Sequence, residues 1–300
     1  MPIQKIADAE LWFDEYGPDD ASEVFLSMAM GFSGLDAYPE RLSESPTDYK
    51  VYTIQARGFG SSSRPDSIPE EGWLAQWADD VVAFADAKGI DRFVYTGASH
   101  GAGIGWYIAV RHPERLKAFV SVVGTPHDRF GVTDSSEGRR ESIRARMAGD
   151  VDAMRVQFEK LGGWLHDDET ERRRQRDLLI DGAIAGAMAR DDGESQINQG
   201  MPFPESKTND ELAGVLRTIS VPTLMLAGMR DGIVSPESSL RGVMNVRDSK
   251  AVFFESEGHY MTREIPERLI REVRLYMDEI NGTAHPERRP IHDHTKVDTV

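Results

Sequence analysis

Arg92-Phe93-Val94-Tyr95-Thr96-Gly97-Ala98-Ser99-His100-Gly101 is the stretch that decides how this chain folds. Its first half is short, aromatic and β-branched, the composition of a buried strand. Its second half reads Gly-x-Ser-x-Gly. Beyond it, Ile104, Ala109 and Val110 belong to a helical pattern that opens right after Ser99. A strand that turns sharply through a serine into a helix strains the serine backbone and points the hydroxyl out of the sheet. Flanking glycines leave room for the turn and for close helix–strand contact. The five-residue pattern alone specifies little; the strand before it and the helix after it make Ser99 a candidate nucleophile.

Working outward, the same rhythm recurs. Val24-Phe25-Leu26, Val51-Tyr52-Thr53-Ile54, Ala118-Phe119-Val120-Ser121-Val122-Val123, Pro222-Thr223-Leu224-Met225-Leu226 and Ala251-Val252-Phe253-Phe254 are short runs, mostly apolar on both faces. Strands covered by helices on both sides have that composition. Leu11-Trp12-Phe13 and Tyr16 suggest an antiparallel edge hairpin. Between the runs, Trp77, Val81, Phe84 and Ala85 share one helix face, and Leu269, Val273 and Met277 share another behind Pro266-Glu267. Alternating strands and helices predict an α/β fold with a mostly parallel, doubly wound sheet. From 127 to 216 no strand pattern is visible, only charged helical segments such as Glu141 to Met147 and Glu171 to Leu179, interleaved with apolar residues. That is too long for a loop and reads as a helical cap inserted into a core formed by 1–126 and 217–283. Residues 284–300 read as a polar tail.

Composition narrows the chemistry. The 300 residues contain no cysteine, which removes disulfides, thiolate metal sites and a thiol nucleophile. A formal net charge of −16 argues against a nucleic-acid partner, because phosphate backbones recruit a surplus of Lys and Arg. No apolar run approaches the ~20 residues that span a bilayer, and Met1-Pro2-Ile3-Gln4-Lys5 lacks the apolar core of a secretory signal. A cytoplasmic enzyme without membrane association is expected, and its oligomeric state, homo-oligomer included, stays open. A dinucleotide fingerprint beginning at Gly101 would need glycine where Trp106 stands. His292 and His294 offer only two metal ligands in a solvated tail. Neither a metal nor a cofactor is expected.

A serine hydroxyl needs a base, and the base needs a group to orient it. In this architecture the order along the chain is serine, acid, histidine. Asp231 follows the strand ending at Leu226, within Gly228-Met229-Arg230-Asp231-Gly232, and His259 follows the strand ending at Phe254, within Glu257-Gly258-His259. Both sit past C-terminal strand ends, where open α/β sheets place their ligands. Asp128, after Val123, is the alternative or accessory acid, although Asp231 fits the slot better. His127 lines the pocket or serves the cap entry. Two backbone N–H groups should form an oxyanion hole: that of His100, and one from Met30-Gly31-Phe32-Ser33-Gly34, where Phe32 is the chosen donor. Met30, Met154, Phe158, Trp164, Met188 and Tyr260 are candidates for walls of the substrate pocket, with core packing as the alternative.

With these residues in place the chain resembles the α/β-hydrolase superfamily, of the small capped esterase, lactonase and haloperoxidase-like kind. The resemblance runs to about Gly282. It is carried by Met30 to Gly34, Arg57-Gly58-Phe59-Gly60, Gly97 to Gly101, Gly228 to Asp231, and Gly258-His259 with Glu264-Ile265-Pro266-Glu267. It implies an eight-stranded sheet, a lid after the sixth strand and a Ser99–Asp231–His259 triad. The chain departs from the pattern at Met30, where histidine is usual, and at Gln55, where aspartate is usual. The expected activity is hydrolysis of a carboxylic ester or lactone of a moderately hydrophobic small molecule. The alternatives are C–C bond hydrolysis, perhydrolysis or amide hydrolysis with the same triad, or receptor-like binding with little turnover.

Overall fold

A computed structural model describes residues 2–29, 38–44, 46–65, 72–129, 141, 144–162, 170–197 and 200–282. Its strands are β1 (Ile3–Lys5), β2 (Glu10–Tyr16), β3 (Val24–Ala29), β4 (Lys50–Gln55), β5 (Phe93–Ala98), β6 (Leu116–Val122), β7 (Thr223–Gly228) and β8 (Ser249–Phe254). They form one eight-stranded sheet in the order β1-β2-β4-β3-β5-β6-β7-β8. β2 pairs antiparallel with β1 and β4, the edge hairpin expected from Leu11 to Tyr16, and every other pair is parallel. Because β4 and β5 flank β3, the direction of winding reverses there, which opens a crevice at the C-terminal ends of β3 and β5.

The helices are α1 (Tyr38–Arg41), α2 (Leu74–Lys88), α3 (His100–Arg111), α4 (Val151–Gly162), α5 (Thr170–Met188), α6 (Asp192–Gln196), α7 (Asn209–Leu216), α8 (Pro236–Asn245), α9 (Met261–Glu264) and α10 (Pro266–Ile280). Side-chain alternation sends successive residues of β5 to opposite layers. Phe93 and Tyr95 pack with Trp77, Val81 and Phe84 of α2 and Ile104 and Ile108 of α3. Val94 and Ala98 pack with Leu269, Val273 and Met277 of α10. β5 and β7 are consequently buried along their whole length, as their unbroken apolar composition requires.

α3 lies close on the sheet because Gly105 has no side chain. A Cβ there would stand 2.1 Å from Phe119 Cε2 and 2.7 Å from Tyr95 Cδ1. Gly105→Ala is expected to cost about 1–3 kcal/mol through overpacking. Thermal unfolding followed by circular dichroism reads this as a lowered midpoint; an unchanged midpoint would contradict it.

Between β6 and β7 the described residues contain no strand. α4 and α5 pack on each other around Ala145, Met154, Ile180, Ile184 and Ala187, with Phe158 partly buried against them. α7 differs from the sequence expectation, which placed it in the inserted unit. Its Leu212 and Leu216, one turn apart, join Ile219 and Val221 in the main core. A capping box fixes its start, with Thr208 accepting from the Glu211 N–H and Glu211 accepting from the Thr208 N–H. Among the described residues no helix is long and apolar enough to cross a membrane.

Candidate active site

Ser99 joins β5 to α3 with φ 53° and ψ −116°. A non-glycine residue held there costs on the order of 1–3 kcal/mol and persists only where its surroundings impose it. Three contacts impose it. The Ser99 N–H donates to Val122 O at 2.9 Å. Gly97 lies so near the first turn of α3 that a Cβ would meet Gly101 C at 2.4 Å. Gly124, after β6, backs the turn so closely that its Cβ would meet Ser99 O at 2.8 Å. Serine commonly caps a helix with its own hydroxyl, but Ser99 makes no such bond. Its Oγ lies 2.9 Å from His259 Nε2 instead.

His259 Nδ1 lies 2.8 Å from Asp231 Oδ2, and the two side chains are only 2% and 1% exposed. An ionised carboxylate only accepts, which assigns the proton to Nδ1 and leaves Nε2 to accept from the Ser99 hydroxyl. The other Asp231 oxygen accepts from the N–H groups of Ile233 at 2.8 Å and Val234 at 2.9 Å. This turn, closed by the aspartate on its own downstream backbone, locks the carboxylate. The two loops are also pressed together. The Met229 N–H donates to Phe254 O and the Arg230 N–H to Glu257 O, both at 2.9 Å. A Cβ on Gly228 would meet Glu257 O at 2.5 Å.

Arg57, after β4, anchors the neighbouring loop. Its guanidinium grips Asp80 of α2 at 2.7 and 3.1 Å and Asp8 at 2.8 and 2.9 Å. The hydrogen bond from Arg57 holds the Asp8 carboxyl below its usual range, whereas burial pushes that of Asp80 up. Gln55 Oε1 accepts from the Ser61 N–H at 2.8 Å, so the residue that departs from the expected aspartate still closes this loop.

The remaining sequence candidates fall differently. His100 opens α3, so its N–H belongs to the first turn, where N–H groups point out along the axis. Phe32, Met30, Trp164, His292 and His294 lie outside the described residues. Met154 and Phe158 pack between α4 and α5, and Met188 is 47% exposed. Tyr260 is buried beside His259, ring centroids 6.5 Å apart, and burial pushes its phenol up. Asp128 does not reach His259; its carboxylate meets Arg241 and accepts from the hydroxyls of Ser235, which caps α8, and Ser238 within it. Sequence reasoning overlooked Arg172 and Arg176 and their pairing with Glu257 and Glu264 around His259, because a charged helix carries no sign of which charges it buries.

The family model described as the alpha/beta hydrolase fold matches residues 31–261. The chain belongs to the alpha/beta hydrolase fold family. This hydrolase-fold chain is 30% identical over 137 residues to the "Putative carbamate hydrolase RutD" of Rhizobium rhizogenes, covering 45% of this chain and 49% of the relative. That match spans about half the length of the relative. It is 23% identical over 269 residues to the uncharacterized carboxylesterase nap of Bacillus subtilis, covering 89% of this chain and 83% of the relative. A solved N-acyl homoserine lactone degrading enzyme shares its fold, with a TM-score of 0.70 at 19% identity over 91% of this chain and 99% of that one.

Proposed function

We propose that this alpha/beta hydrolase cleaves a carboxylic ester or lactone of a small, moderately hydrophobic molecule through an acyl-enzyme on Ser99. The observation that carries this reading is the hydrogen-bonded line from Ser99 Oγ through His259 to Asp231, 2.9 and 2.8 Å long, on a strained serine at a strand end. The carboxylesterase name of the Bacillus relative and the lactone chemistry of the structural neighbour support the same class.

Ser99 Oγ attacks the carbonyl carbon as its proton passes to His259 Nε2. Asp231 holds the imidazole orientation and stabilises the imidazolium; the Ile233 and Val234 N–H groups keep that carboxylate from turning away. The His100 N–H stabilises the negative oxygen of the tetrahedral intermediate. His259 returns the proton to the departing alkoxide, which leaves an acyl group on Ser99. Water then attacks the acyl carbon and gives a proton to His259, which passes it to Ser99 as the acid departs. The near-complete burial of His259 and Asp231 keeps these charges out of competing solvent. The helices between β6 and β7 act as a cap over this end of the sheet.

Comparing kcat/KM across nitrophenyl esters, lactones, aryl carbamates and vinylogous diketones tests the bond cleaved. An ester or lactone is expected to lead the panel. A carbamate or a diketone C–C bond cleaved an order of magnitude faster than any ester would overturn it.

A further inference from the structure

The inserted helix α5 reaches the loop that carries His259 through two arginines. Arg176 Nε donates to Glu264 Oε1 at 2.9 Å, and the two side chains are 4% and 11% exposed. Arg172 Nη2 donates to Ser256 O at 3.0 Å and lies 3.5 Å from Glu257 Oε2. Ser256 and Glu257 immediately precede Gly258-His259, and Glu264 closes the short helix α9 that follows. The contacts of α5 therefore bracket His259 on both sides. We propose that Arg176 and Arg172 are positioning residues for His259, holding its loop from the inserted helix; this rests on the triad reading above.

Glu257 shows how the hold is transmitted. Its backbone oxygen accepts the N–H of Arg230, next to Asp231. Its buried side chain is faced by Arg172 of α5 and, at 3.7 Å, by Arg268 of α10. Burial and the nearby Glu264 push its carboxyl up, while Arg172, Arg268 and Arg176 pull it down. One residue thus joins the Asp231 loop, the His259 loop and the inserted helix.

Paired leucines or methionines would fill this space without desolvating charges, so ion pairs here are weak evidence for stability. What a guanidinium adds is direction, because its planar donors fix the partner's place and angle. Catalytic groups work within about 0.5 Å of their productive geometry, and a displacement near 1 Å can cost about 100-fold in rate. Seating of α5 and alignment of His259 with Ser99 are therefore one event. A shift of α5 that breaks the Arg176–Glu264 bond also releases the histidine loop.

The test uses the full chain carrying Arg176→Met, Arg172→Met, Arg176→Lys or the pair Arg176→Met/Glu264→Leu. The pair removes both members of the Arg176–Glu264 bond together and keeps the test open should Arg176→Met not fold. Each folded variant is assayed on nitrophenyl acetate, a small ester that asks little of a cap, and by the rate of fluorophosphonate labelling. The methionine variants and the pair are expected to lose about 10- to 100-fold in kcat and labelling rate, with KM near wild type. The downfield proton resonance of His259 Nδ1 should shift or broaden, and Arg176→Lys should recover part of the rate. Methionine variants and a pair that are folded and keep wild-type kcat, labelling rate and resonance would overturn the proposal while leaving the triad reading intact. A Ser99→Ala protein labelled as fast as wild type would overturn the triad reading itself, and this inference with it.

Discussion

Ser99→Ala is expected to lower kcat/KM on the best ester by about 10⁵- to 10⁶-fold, with the fold and melting behaviour preserved. The size follows from the geometry. The hydroxyl proposed to form the covalent intermediate is the one group removed, and His259 and Asp231 cannot substitute for it. His259 only carries a proton and Asp231, 2.8 Å away, only orients it, so activating water in place of Ser99 forfeits the positioned nucleophile. Removal of the serine from such a triad costs on the order of 10⁶ in kcat, the residue over water coming from oxyanion stabilisation and binding. Alanine inherits the φ of 53° and its strain, and it removes no helix cap, because the serine hydroxyl does not serve as one. Stability should therefore barely change. A loss below tenfold in the folded variant would show that another nucleophile does the chemistry.

Asp231→Asn should be nearly as severe on the chemical step, about 10⁴-fold in kcat, with KM little altered. Asn keeps the shape, and its carbonyl oxygen can retain the Ile233 and Val234 N–H groups at 2.8 and 2.9 Å. Its amide N–H₂ then faces His259 Nδ1. To avoid two donors meeting, the imidazole must carry its proton on Nε2, the atom required to receive the proton of Ser99. Steady-state kinetics and the downfield Nδ1 proton resonance report the same switch: kcat falls and the resonance vanishes. Loss of less than tenfold would mean that another acid orients His259. Asp128 is a poor substitute, since Arg241, Ser235 and Ser238 already engage it.

Much of this was legible in the sequence for a physical reason. Parallel strands buried on both faces must be apolar throughout, so the runs at Phe93, Phe119 and Leu224 stand out, and loops that follow them hold polar residues at one sheet edge. Ser99 and Asp231 each follow such a run, and His259 follows β8, the partly buried strand at the sheet edge. Long-range charge pairing left no local trace. Arg57 meets Asp8 and Asp80, 49 and 23 residues away, and Arg176 meets Glu264, 88 residues away. In α5 the buried Arg176 sits among exposed Arg173, Arg174 and Asp177, so periodicity could not separate an arginine that binds the core from those that face water. Position along the chain puts α7 in the insertion, and only its packing through Leu212 and Leu216 shows which layer it joins.

The most direct measurement is peptide mass spectrometry after treating the wild-type protein with a fluorophosphonate. One phosphonyl adduct is expected, on Ser99, formed in step with the loss of esterase activity. An adduct on another residue, or full inactivation with Ser99 unmodified, would contradict the assignment of Ser99 as the nucleophile.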